Sequence, residues 1–364
     1  MRRSRARSCR YIPVKDPEGL TALLLIMNLY DNNGYLNFSR ISSIPANFVF
    51  IVGGRGTGKT YGALKYVWEN KIKFMFSRRQ RQEYDTISKN EASPFKSLNA
   101  DLNINVNVRS INHNLSGFYD GESGLPIGYL TALVNISTLR GLDFSDCDWW
   151  IYDEFIPEPH VRPIKEEGQA VLNAYETFNR NRELQGRPPL KLIGLSNSNM
   201  LACPLFIELD LVNVVERLKK SGDNFWMDKA RGVAVIYPWD SPLSEEKMET
   251  ALYKLVNKES EFYQMAIENR FRDLDESAPV SRNLREYTPV LRIGEISIYK
   301  PKNAQGKYYC TTHASGSCPE YGISEIQIDR CIKKYSWIPN LYLSNRIEFE
   351  SYICEALFNK YLFA

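Results

Sequence analysis

The chain has 364 residues, 43% hydrophobic and 24% charged, with 46 Lys and Arg against 43 Asp and Glu. That is the make-up of a folded protein with room for two or three domains. Its seven cysteines are odd in number and scattered, which suits a reducing compartment better than a disulfide framework, and no apolar run reaches the ~20 residues of a membrane span.

The small net charge of +3 hides a local bias, since Arg2, Arg3, Arg5, Arg7 and Arg10 crowd the amino terminus with no acid among them. Such a segment is either a solvated terminus or an arm that seeks phosphate. Leu20–Met27 (LTALLLIM) reads as a helix, and the preceding DPEGL is not the basic flank of a secretory signal. From residue 48 onward, strand-like and helix-like stretches alternate as in an α/β core with a parallel sheet. Strands are predicted at 48–52, 73–77, 129–137, 149–153, 191–196 and 232–239, with a helix over 59–69 starting directly after a run of glycines. At 241–256 the pattern changes: Pro242, Glu245 and Glu246 suit a helix start, and Met248, Leu252 and Leu255 share one face. A helical linker is expected to run to about residue 272. Beyond it, 290–300 and 307–312 flank the turn PKNAQG as in a hairpin, and RIEFESYICEALFNKYLF closes the chain as a helix. The expected organisation is therefore an α/β nucleotide-binding domain over 1–240, a linker over 241–272 and a small α+β domain over 273–364.

The stretch Gly53-Gly54-Arg55-Gly56-Thr57-Gly58-Lys59-Thr60 satisfies G-x-x-x-x-G-K-[ST] between a strand and a helix. Glycines let backbone N–H groups converge on phosphates, and the helix start adds its positive end. Lys59 would hold the β- and γ-phosphates of ATP, and Thr60 would ligate Mg²⁺. Asp153 ends an apolar strand and would bind Mg²⁺ through water, with Glu154 orienting the attacking water. This acidic pair favours hydrolysis, because a small-molecule kinase must exclude water. Ser196 and Asn197 end the next strand; they would sense the γ-phosphate from between the two signature strands, or simply cap a turn. A nucleotide site built for force also takes a cation from a neighbouring subunit. On the helix expected around QAVLNAYETFNRNREL, Val171, Tyr175 and Phe178 share a face, Arg182 lies near it and Arg180 points away. Arg180 is thus the first candidate, and Arg140 the second. Cys310, His313, Cys318 and Cys331 include a C-x-x-H pair, but a zinc site would need a second tight pair.

The order FVFIVGGRGTGKT, FSRR, WWIYDEF, FNRNRE and GLSNSN resembles the DNA-packaging ATPases of small Bacillus podophages, of the additional-strand, catalytic-glutamate division of P-loop ATPases. The resemblance is specific over about residues 45–200 and thinner, though collinear, through the carboxyl-terminal module; the arginine-rich extension has no counterpart in it. It implies a RecA-like ATPase domain, Lys59 and Thr60 in the Walker A role, Asp153 as Walker B and Glu154 as the catalytic glutamate. The family's trans-acting arginine falls on Arg180 and its second trans-acting cation, a lysine, falls near Arg140. It further implies a homo-oligomeric ring, a pentamer in the family, acting on double-stranded DNA with ATP and Mg²⁺. The expected setting is the host cytoplasm, transiently at the portal vertex of the procapsid, in some members with a structural RNA. The carboxyl-terminal domain of the family resembles an RNase H fold without nuclease activity. Glu295 and Asp329 are the only obvious strand-associated acids at 273–364, too few for a two-metal nuclease. Competing readings are a helicase, a filamentous-phage-type assembly ATPase and a nucleic-acid scaffold that does not hydrolyse ATP.

Overall fold

Five-residue apolar runs such as Phe48–Val52 and Trp149–Asp153 suit strands covered on both faces, and the sheet they form is covered in that way. The computed structural model describes residues 29–54, 56–157, 164, 166–197, 203–238, 242, 248–257, 260, 280–303 and 306–362. The Arg2–Arg10 cluster, Leu20–Met27 and most of the expected linker lie outside them.

The order begins with α1 (Phe38–Ser42), β1 (Phe48–Val52), α2 (Lys59–Glu69), β2 (Phe74–Arg78), α3 (Arg81–Ile87) and α4 (Lys96–Asp101). A meander of β3 (Val106–Asn112), β4 (Leu115–Asp120) and β5 (Pro126–Ala132) follows, then β6 (Trp149–Asp153), α5 (Glu167–Asn179) and β7 (Lys191–Ser196). The domain ends with α6 (Pro204–Glu208), α7 (Val212–Ser221), β8 (Phe225–Asp228) and β9 (Val233–Ile236). These make a nine-stranded sheet in the order β3-β4-β5-β2-β6-β7-β1-β9-β8. The six strands from β5 to β9 in that order run parallel, and the two edges are antiparallel. Alternation along β1 sends Val49 and Ile51 into one apolar cluster and Phe50 and Val52 into another, so each face of the sheet has its own core. Because the central strands are parallel, the chain segments following β1, β2, β6 and β7 leave on one edge, where ligands of open α/β sheets bind.

Three sequence expectations need correction. The strand expected over 129–137 stops at Ala132 and a 3₁₀ helix takes over at Leu133–Leu139. Leu133, Ile136 and Leu139, spaced by three, are all buried, which fits a three-residue turn and not a strand's period of two. The single strand expected over 290–300 is a hairpin of β10 (Tyr287–Ile293) and β11 (Ile296–Pro301), reversed at Gly294-Glu295. Gly294 has φ +53°, the left-handed conformation that a two-residue hairpin demands. The closing helix starts late. Ile347 and Phe349 are buried on alternate positions of a short strand, and the Ser351 hydroxyl then accepts from Cys354 N at 3.2 Å to start the helix. The described part of the linker includes the short helix α8 (Ala251–Leu255).

The second, smaller domain adds β12 (Tyr308–Thr311), β13 (Glu320–Tyr321), α9 (Glu325–Lys334), α10 (Ile338–Leu343), β14 (Ile347–Phe349) and α11 (Tyr352–Leu362). Its sheet order is β13-β10-β11-β12-β14, an antiparallel meander with a parallel strand on each edge. Cys310 and Cys331 are buried in its core, where burial pushes both thiols up, and Cys318 is half-buried. His313 is exposed, its Nε2 3.5 Å from Glu350. Asp329 lies on α9 and not on a strand, and Glu295 is exposed in the β10–β11 turn. Among the described residues no three His, Cys, Asp or Glu side chains converge to hold a metal, and no helix is long and apolar enough to cross a membrane.

Candidate nucleotide-binding site

The loop between β1 and α2 has the backbone that a phosphate cradle requires. Gly56 and Gly58 take φ +78° and +75°, values that side chains with a Cβ rarely adopt. A Cβ at Gly58 would also fall 2.8 Å from the ring of Tyr35. Arg55 lies outside the described residues. Thr57 and Lys59 are both buried, and Lys59 folds its ammonium back onto the loop, donating to Gly53 O at 3.0 Å, Gly54 O at 2.6 Å and Thr57 Oγ1 at 3.2 Å.

One turn into α2, the Thr60 hydroxyl donates to Asp153 Oδ1 at 2.9 Å. This contact joins the loop after β1 to the end of β6, two strands away in the sheet. Burial pushes the Asp153 carboxyl above its ordinary value; Arg78 works against that shift, Glu154 adds to it, and Thr60 and Lys59 also oppose it. A hydroxyl and a carboxylate oxygen in contact are the hard donors that Mg²⁺ takes from a protein while keeping waters and substrate phosphates as its other ligands. The residues present therefore fit that metal.

Glu154 follows with φ +56°, a left-handed conformation that is strained for a glutamate and concentrates at functional sites. Its Oε1 accepts from Asn197 Nδ2 at 2.7 Å. Ser196 is buried on β7, paired in register with Val52, and Gly53 N donates to Ser196 O at 3.2 Å. Strand β7 thus separates β1 from β6 and carries Asn197 to the Asp153-Glu154 corner.

The helix-face expectation for the arginines needs one amendment. Helix α5 ends at Asn179, so Arg180 is its cap at φ +46°, and Asn181 follows at φ +53°. Arg182 is fully buried, bonded to Cys147 O and paired with Asp148, in keeping with a position near the apolar face. Arg180 is half-buried. Its guanidinium donates to Arg140 O at 3.1 Å and also to Leu142 O, so the two candidate trans-acting cations lie side by side.

Sequence reasoning missed the pair that closes β2. Arg78 Nη2 lies 2.7 Å from Asp153 Oδ2. Arg79 and Glu167, the first residue of α5, form a buried bidentate pair at 2.5 and 2.6 Å. The Tyr152 hydroxyl, held protonated by burial, adds a hydrogen bond to Glu167 at 3.3 Å. Two successive arginines ending an apolar strand were the available signal, since neither could stay in such a place without an anionic partner.

A glycine loop leading a helix after β1, an acidic pair at the end of β6 and an extra strand between them define a P-loop ATPase fold of the additional-strand type. The sequence matches the podovirus DNA encapsidation protein (Gp16) family over residues 29–293. The chain belongs to that family, whose business is the packaging of viral DNA. It is 26% identical over 248 residues to the DNA packaging proteins of Bacillus phages phi29 and PZA, covering 66% of this chain and 67% of each relative. Among solved structures it is similar to the Phi-28 gp11 DNA packaging motor, with TM-score 0.62 and 19% identity over 91% of this chain and 98% of that one. The bacteriophage Phi-29 viral genome packaging motor assembly gives TM-score 0.58 and 17% identity over 92% and 99%. At these identities the structural likeness is one of fold.

Proposed function

We propose that the chain hydrolyses ATP as one subunit of a homo-oligomeric ring, a pentamer by resemblance, that drives double-stranded DNA through a portal into a procapsid. The observation that carries this reading is the contact of Thr60 with Asp153 beside a strained Glu154. Lys59 serves the β- and γ-phosphates, and Gly53, Gly54, Arg55, Gly56, Thr57 and Gly58 supply the cradle. Thr60 and Asp153 hold Mg²⁺, which when bound supplies positive charge against the phosphate oxygens. Glu154 orients water for attack on the γ-phosphorus and takes its proton, while the bond to the bridging oxygen breaks and ADP leaves. Asn197, bonded to Glu154, and Ser196 beside the loop make that strand end responsive to the site. Arg180, with Arg140 next to it, completes the neighbouring subunit's site.

The domain assignment goes with this reading: 1–240 for the ATPase, 241–272 for the linker and 273–364 for a vestigial nuclease-like module that docks on the portal or on a structural RNA. The chain then acts in the host cytoplasm, transiently at the portal vertex. The test is ATP turnover on blunt duplex DNA. Stimulation by duplex without strand separation, abolished in Glu154→Gln, is expected; unwinding of a forked duplex would favour a helicase, and turnover unchanged in Glu154→Gln would sink the catalytic assignment.

A further inference from the structure

The arginine pair at the end of β2 is split in its chemistry. Arg79 is satisfied by both oxygens of Glu167 and is only 2% exposed. Arg78 is held on one side only. Its Nη2 forms the 2.7 Å charge contact with Asp153, yet its Nε is buried without a hydrogen-bond partner, and Asp153 Oδ2 lacks a well-directed donor as well. A buried N–H left without an acceptor costs as much as a lost hydrogen bond, and such groups are rare enough to require a reason. The other oxygen of Asp153 is already engaged by Thr60. Arg78 thus sets its positive charge against the very carboxylate that would face Mg²⁺. Two cations on one buried carboxylate repel each other, so metal and guanidinium compete for it. A guanidinium has five N–H donors in a planar fork that fits phosphate oxygens, and the orphaned Nε belongs to that fork.

We propose that Arg78 is a catalytic cation supplied within the subunit: it neutralises Asp153 before the metal binds, exchanges places there with Mg²⁺, and turns its fork to the terminal phosphate of the nucleotide. The inference rests on the reading of the loop as an ATP site. It gives each subunit a cation of its own besides Lys59, independent of the neighbour's Arg180.

The test uses the full chain and equilibrium binding of fluorescent, non-hydrolysable ATP and fluorescent ADP, titrated with Mg²⁺. In Arg78→Gln the half-saturating Mg²⁺ should fall by roughly tenfold, because the competitor has gone, and the metal-free preference for ATP analogue over ADP should fall by a similar factor. Arg78→Lys keeps the charge but not the fork; it should hold the wild-type Mg²⁺ midpoint and lose the ATP preference. Either measure staying at its wild-type value in Arg78→Gln overturns the exchange, as does a midpoint that rises, since a purely structural arginine would leave both in place. Lys59→Ala is the control: if it binds nucleotide as wild type does, the loop is not the ATP site and the fault lies there, not with Arg78. Should Arg78→Gln not fold, Arg78→Lys decides alone, and an ATP preference unchanged in it overturns the proposal.

Discussion

Asn197 offers the sharpest perturbation of the proposed chemistry. Its amide donates to Glu154 Oε1 at 2.7 Å in a half-buried setting. A hydrogen bond to a charged acceptor contributes about 1.5–3 kcal/mol, and the partial exposure argues for the lower end. The same glutamate is held at φ +56°, a conformation costing about 1–3 kcal/mol, so its carboxylate is fixed by the Asn197 contact against backbone strain. If the carboxylate has to leave Asn197 to orient water, about 1.5 kcal/mol separates the resting from the working arrangement, roughly a tenfold factor in population. Asn197→Ala should therefore raise ATP turnover in the absence of DNA, by up to about tenfold, and reduce the factor by which DNA stimulates it. Steady-state phosphate release with and without duplex DNA measures both quantities. Turnover that falls towards the Glu154→Gln level would refute the reasoning, because Asn197 would then be holding the glutamate in its working position.

The other predictions concern the interface and the buried pair. Arg180→Ala and Glu154→Gln subunits should each be nearly inactive, yet mixed rings should regain phosphate release at interfaces where an intact Glu154 meets an intact Arg180; arginines acting across interfaces contribute about 10³ to 10⁵ in rate. If mixed rings demonstrably form and recover nothing, Arg180 does not act in trans and Arg140, beside it, is next. Glu167→Ala strands the buried Arg79 guanidinium and should cost about 3–5 kcal/mol, on the order of 10 °C in the thermal midpoint followed by circular dichroism. A loss under about 1 kcal/mol would mean the pair does not hold α5 in place.

The sheet was legible where strands are buried on both faces. β1, β6 and β7 stand at the residues expected from their apolar runs, because a central parallel strand has no polar face to interrupt the pattern. The errors fell where a short apolar run fits two periods. Leu133, Ile136 and Leu139 are compatible with a strand when read by hydrophobicity alone, and only their spacing of three shows the 3₁₀ turn. Likewise Ile347 and Phe349 read by hydrophobicity as part of the helix that follows, although Ser351 between them and that helix is its natural cap. The antiparallel β3–β4 hairpin was not foreseen: β3 is an edge strand whose second half faces solvent, so burial leaves only a short mark on its sequence.

At the site, legibility followed a different rule. Lys59, Thr60, Asp153 and Glu154 stand out because their residue types and spacing fit the proposed chemistry of phosphate and metal. Arg78, Arg79 and Glu167 do not, because their partners are 75 and 88 residues away in the chain. Their arrangement nonetheless bears on how the molecule works. Arg78 at the end of β2 holds Asp153 while Arg79, just beyond it, holds the first residue of α5, and Tyr152, next to Asp153, reaches the same Glu167. A 13-residue helix is about 20 Å long, and Arg180 caps its far end. The Asp153 corner is thereby joined through one buried ion pair and one rigid helix to the arginine proposed to face the next subunit. Left-handed backbone at Glu154, Glu166, Arg180 and Asn181 marks the joints of that route, placing the strain where the site meets the helix and where the helix meets its cap. Loss of Glu167 therefore bears on Arg180 as well as on stability, and the mixed-ring assay applied to Glu167→Gln separates the two: if the variant folds, binds nucleotide and is complemented by Glu154→Gln but cannot rescue Arg180→Ala neighbours, the ion pair positions the arginine.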